Sequence, residues 1–171
     1  MFYFLDCDTD KFGKIHSFKQ KKAIRGMSWI DGQAFSLDPE EKFAHKKSPE
    51  LPICLVLNNA VKYAPLPSFD GTPVPIISKD LLDILKSHNI KNIEYYPASL
   101  ESQNGEIISA DYVAFKTLGF VEKGNVVEAK KRLFFRMEEH NTEIIVHESL
   151  KSAIESANIP LLQFFKFSGV E

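Results

Sequence analysis

One phrase occurs twice in this chain, and it limits the fold more than any other feature. Residues 87–100 read SHNIKNIEYYPASL, and residues 156–169 read SANIPLLQFFKFSG. A displacement of 69 positions lays the stretch VPIISKDLLDILKSHNIKNIEYYP over TEIIVHESLKSAIESANIPLLQFFK, give or take an end residue. Ile76 then meets Ile145, Leu81 meets Leu150, Leu85 meets Ile154, Asn89 meets Asn158 and Ile90 meets Ile159. Tyr95 and Tyr96 meet Phe164 and Phe165. Apolar positions fall on apolar positions, so the duplication is one of structure rather than of an active site.

Each copy resolves into strand, helix, strand. A short apolar run (Val74–Ile77; Glu143–Val146) reads as a strand. Ser78 or His147 opens a helix, and Asp80 or Glu148 in the first turn suits its positive end. Leu81, Ile84, Leu85 and His88 mark one helical face in the first copy; Leu150, Ala153, Ile154 and Ala157 mark it in the second. Asn89 and Asn158 follow the last turn, where a residue tolerant of the left-handed conformation closes a helix. Extended runs at Ile93–Tyr96 and Leu162–Phe167 complete the units.

The pattern predicts an α/β or α+β fold: a mixed sheet with short covering helices, built on a duplicated strand–helix–strand unit at about 74–97 and 143–167. Residues 1–171 read as a single domain, with a loop-rich part at 1–62 and a two-repeat part at 63–171. FYFL (2–5), ICLVL (53–57) and RLFFRM (132–137) read as further strands, and Pro39–Lys46 as a turn of helix. SADYVAFKTLGFV (109–121) fits a strand or a short helix equally well. KYAPLPSFDGTPVP (62–75), with four prolines, reads as an ordered surface linker.

Composition excludes several classes. A hydrophobic fraction of 44% rules out disorder for most of the chain, and a net charge of −2 gives no broad basic face for nucleic acid. The start, MFYFLDCDTD, has neither the basic region nor the cleavage site of a signal peptide, and no apolar run approaches the roughly 20 residues of a membrane span. A cytoplasmic protein with no membrane partner is expected. Cys7 and Cys54 sit in apolar stretches and read as free thiols. Asp6, Asp8 and Asp10 imitate the start of a calcium loop, but Lys11 and Ser17 stand where it needs Gly and Glu, so they read as a strand end and polar turn. Five histidines occur without metal-ligand spacing, and no phosphate-binding glycine loop or nucleophile elbow is present. No metal, cofactor or catalytic residue is expected on these grounds. KFGKIHSFKQKKAIR (11–25) reads as a solvated loop or edge strand, and EAKKR (128–132) and HKK (45–47) as solvated surface.

Trp29, the only tryptophan, lies in RGMSWIDGQAFS; a lone Trp is a core anchor by default, and in a Gly-flanked loop it also suits an interface. Several features follow it in order: Gly32, PLPSF at 65–69, the unit Pro75–Leu85, the pair Tyr95–Tyr96 with Pro97, Asp111–Tyr112 and the last strand–helix–strand copy. In that order the chain resembles, over roughly residues 25–168, a bacterial family once listed as a domain of unknown function. That family is now grouped as immunity family eleven of polymorphic toxin systems. The resemblance implies a protein that binds a cognate toxin or effector, acts in the cytoplasm and carries no catalytic residues. Candidate toxin contacts, chosen by loop position and chemistry, are Trp29, Asp31 and Phe35, then Phe69 and Asp70, then Glu101 and Asp111. A monomer or a homodimer is compatible with this reading. The alternatives are a small enzyme with a dispersed site, using groups such as His88, Glu94, Tyr95, Tyr112 and His140, or a general protein-interaction module.

Overall fold

Both copies of the repeat fold as their periodicity requires. The computed structural model describes residues 1–8, 18–20, 26–57, 66–71 and 74–169. Asp10, the basic stretch apart from residues 18–20, and residues 58–65 and 72–73 around the linker lie outside these. In chain order the strands and helices are β1 (Phe2–Cys7), β2 (Phe18–Gln20), β3 (Ile53–Leu57), β4 (Phe69–Asp70), β5 (Ile76–Ser78), α1 (Lys79–Ser87), β6 (Ile93–Glu101), β7 (Ile107–Thr117), α2 (Val126–Lys131), β8 (Phe134–Met137), β9 (His140–His147), α3 (Glu148–Ser156) and β10 (Leu162–Phe167). A 3₁₀ turn at Ala44–Lys46 occupies the end of the expected helical turn. The fold is α+β and mostly strand.

The strands divide between two sheets. One has the order β10-β1-β9-β8 and is antiparallel throughout; the other has the order β2-β3-β6-β7-β5-β4, with β3 and β6 parallel. The two strands of a repeat unit are not neighbours in either sheet. β7 lies between β5 and β6, and β1 lies between β9 and β10, antiparallel to both flanking strands in each case. The registers coincide: Ile76, Ala114 and Tyr96 form one row, and Ile145, Phe4 and Phe165 form its counterpart. β8 flanks β9 as β4 flanks β5, placing Phe134 where the other unit has Phe69. Structural duplication therefore extends beyond the repeated sequence to two further strands.

Local chemistry fixes the ends of the repeat helices. Ser78 is extended and its Oγ accepts from Leu81 N at 3.3 Å, while His147 Nδ1 accepts from Ser149 N at 3.2 Å. Asn89 and Asn158 close the helices at φ 55° and 53°. Asn89 N bonds Lys86 O at 3.0 Å and Ile90 N bonds Leu85 O at 3.2 Å, the paired bonds of a left-handed helix stop.

Three cores result. The inner faces of both sheets and both repeat helices share one, with Leu5, Ile77, Leu81, Leu85, Phe115, Phe134, Leu150 and Ile154 among its members. The outer face of the larger sheet packs beneath Trp29 and Phe35, and the outer face of the smaller one beneath Val121 and α2. The run expected to be plain charged surface at 128–132 thus supplies part of a helix. Its Lys130 and Lys131 are exposed, but Ala129 is fully buried against Phe135 and Ile145. The undecided stretch 109–121 is mainly strand β7, because its continuous apolar run is buried on both faces.

Two tests follow. Asn89→Ala and Asn158→Ala should each lower the urea-unfolding free energy by about 1 kcal/mol, while the glycine variants lose none, since glycine has no Cβ to strain there and alanine lacks the polar side chain by which Asn tolerates the left-handed conformation. His147 caps α3 through an unprotonated Nδ1, and burial pushes its pKa below the ordinary 6.5. A base whose folded pKa is lowered resists protonation in the fold, so its stabilising contribution is whole above pH 6.5 and is lost as pH falls through the folded value. His147→Ser, the residue the other unit uses, should keep the cap and flatten that share of the loss between pH 7.5 and 5.

Candidate functional site

The segment from Gly26 to Phe35 is fastened by a buried cation. Lys116 stands on β7 with a fully buried side chain. Its Nζ donates to Ser28 O at 2.7 Å, pairs with Asp31 Oδ1 at 2.8 Å and lies 3.9 Å from the centre of the Phe35 ring. Burial holds the Lys116 ammonium below the usual lysine range, against the opposing pull of Asp31. Trp29 meets Phe35 and Tyr96 edge-on at 5.0 and 5.5 Å. Gly32 adopts φ 72° and must lack a side chain, because a Cβ there would lie 2.7 Å from the Phe120 ring. Trp29 and Phe35 are 4% and 5% exposed, and Asp31 is committed to Lys116. In this conformation the three present little free surface, and Trp29 takes the core-anchor role.

The remaining candidates scatter. Glu101 is buried at the end of β6, and Asp111 is exposed and pairs with Lys79 at 3.1 Å. That pair is open to water on both sides and contributes little. Of the groups suited to a dispersed enzyme site, His88 Nδ1 lies 2.9 Å from Ile84 O, and Glu94 accepts from Tyr96 Oη. Tyr112 Oη donates to Pro67 O, and His140 Nδ1 lies 2.8 Å from Glu143 Oε2. The Tyr95 hydroxyl is buried without a partner among the described residues, and burial raises its pKa to about 12. No hydrogen bond among the described residues joins one of these five groups to another.

Asp111 and Tyr112 line one cavity of about 460 Å³ with Lys79, and Tyr95 and Tyr112 line another of about 440 Å³, while Phe69 and Asp70 reach a third that gathers more carboxylates than either. β1 and β9 are paired only as far as Leu5 and Ile144, after which β1 continues along β10 and β9 along β8. The end of β4 fills part of the gap, with Gly71 so near that a Cβ would lie 3.3 Å from Thr142 O. What remains is a cleft of about 470 Å³. Phe4 and Phe165 contribute aromatic surface to it, Phe69 lines it although only 4% exposed, and Asp6, Asp70 and Glu143 contribute carboxylates. Aromatic faces and carboxylates both attract cations, so this lining favours a cationic group over an anion, and Glu143 already has His140 Nδ1 at 2.8 Å. Among the described residues no three His, Cys, Asp or Glu side chains gather as a metal-ligand set.

Sequence reasoning missed Phe4, Asp6, Glu143 and Phe165. One signal was available: Asp6 directly follows an apolar strand and so must face out where that strand leaves the core. The rest depends on strand pairing between residues far apart in the chain.

The buried ion pair yields a measurable expectation. Lys116→Ala strips Asp31 of its partner and should cost about 3 kcal/mol in urea unfolding, with a red shift of Trp29 fluorescence as its cover loosens. Asp31→Asn should cost less, because the partly exposed Asp31 position retains a hydrogen-bonding group.

In comparisons with known proteins, no protein-family model matches this sequence, and no curated protein matches it.

Proposed function

We propose that this chain is an immunity protein, binding and neutralising a cognate toxin or effector that acts in the cytoplasm. The cleft at the parting of β1 and β9 carries the reading. It combines three aromatic rings with three carboxylates and suits a basic protein surface. The ordered resemblance from Trp29 to the last repeat copy supports it independently. Among the described residues no helix is long and apolar enough to cross a membrane. Inhibition by occlusion asks for about 800 Å² on each partner and a few buried anchors. The cleft offers the anchors; the neighbouring surfaces of β1, β9 and β10 offer the area. The toxin would present lysines or arginines there, and masking them would block its action.

The test starts from tagged protein and a lysate of the source cells. A single large protein should be retained at near-equal stoichiometry, and its C-terminal domain, expressed alone, should arrest growth. Co-expression of this chain should restore growth. An Asp6→Lys, Glu143→Lys double variant, checked for folding by Trp29 emission, should fail to restore it. Retention of nothing at micromolar protein, or no rescue by the unaltered chain, would count against the proposal, and full rescue by the double variant would remove the cleft from the toxin contact.

A further inference from the structure

The two repeat units share a strand register but not a cover. In the first unit, outer-face Tyr96 is packed by Trp29 and Phe35, and Lys116 is paired with Asp31 of the same segment. In the second unit the register puts Phe165 in the place of Tyr96 and Asp6 in the place of Lys116. The pair Glu94 and Lys116 in one sheet corresponds to Gln163 and Asp6 in the other. α2 and Val121 cover Phe2, Phe135 and Ile145 but stop short of this corner. Phe165 is 51% exposed and Asp6 is open to solvent, whereas Lys116 is fully buried. One unit therefore shows what covers this position when it is covered: an aromatic side chain, with a residue of opposite charge two places further on.

We infer that the outer face of β1 and β10 seats a segment of a partner protein carrying an aromatic residue followed two positions later by lysine or arginine. This is the sequence Trp29-Ile30-Asp31 with its charge reversed. The aromatic ring lies chiefly against the exposed Phe165, beside Phe4, whose ring already meets Phe167 and His140, and the cation pairs with Asp6 at the mouth of the cleft, near the Glu143 that His140 contacts at 2.8 Å. The assignment of that segment to the toxin rests on the proposed function; the chemistry of the segment rests on the duplication alone.

The probe is a peptide of residues 26–35 carrying Asp31→Lys, with the unaltered peptide as its control, titrated into the isotope-labelled full chain and followed by amide chemical shifts. The altered peptide should shift β1 and β10 amides and bind about tenfold more tightly than the control, since one favourable contact replaces a repulsion. Asp6→Lys protein should reverse the preference. Equal binding of both peptides, shifts on another face, or no shift at millimolar peptide would overturn the inference. Concentration-dependent shifts of β10 without peptide would overturn it in favour of a second copy of this chain. The peptides contain no toxin, so the two readings fail separately. Peptide binding without a captured partner sinks the immunity reading alone, and a captured toxin indifferent to Asp6→Lys sinks this one alone.

Discussion

Everything in this fold depends on a core that neither half can complete by itself. Each repeat helix has nine residues, about 14 Å of helix, which is too short to cover a four-stranded sheet. The inner faces close only because α1 and α3 pack beside one another, each finishing what the other leaves bare. Leu81, Leu85 and Leu150 are completely buried and Ile154 nearly so. The two units are thus one cooperative body with two outer faces, and those faces have diverged. One is sealed by a long segment of the chain, the other by a six-residue helix that leaves a corner open.

The sealed face also shows how a charge is kept inside. Lys116 is desolvated, but a carbonyl, a carboxylate and an aromatic face surround its ammonium group. Arg136 is handled differently. It is fully buried on β8, and its Nη1 donates to Asn141 O across the hairpin, while Nε and Nη2 have no partner among the described residues. Burial lowers its pKa to about 10. The contrast follows from position: a cation beneath a loop can recruit that loop's polar groups, and one facing the shared core meets mostly hydrocarbon.

Much of this was legible from residue order. The strand and helix periods, the capping positions at Ser78 and His147 and the helix stops at Asn89 and Asn158 all follow from local physics, and each unit states them separately. FYFL was legible as a strand, but the place of the intervening strands was not. Residues 112–117 (YVAFKT) and 2–7 (FYFLDC) occupy equivalent places yet differ in burial, the first buried on both faces and the second only in part, and a strand between two others has no local mark of its place. Lys116 did carry a signal: a lysine inside an apolar run that reads as doubly buried must have a partner. α2 was hidden because a six-residue helix buries one alanine and otherwise looks like charged surface. The cleft was hidden in a different way. Phe69 and Asp70 were reached by loop chemistry, while Asp6 and Glu143 come together only where β1 and β9 part.

The middle strands also set an order of assembly. β7 follows β6 through a tight hairpin, and its partners lie within the same stretch of chain. β1 has no such neighbour: Phe2 pairs with His147 and Phe167, across nearly the whole polypeptide. Closing so long a loop is slow, whereas the hairpin side closes quickly. During synthesis the larger sheet has its partners early, and β1 emerges first but pairs last. The cleft lies at the end of that late strand, so it is the last feature the chain completes as it folds and the first it loses if β1 detaches.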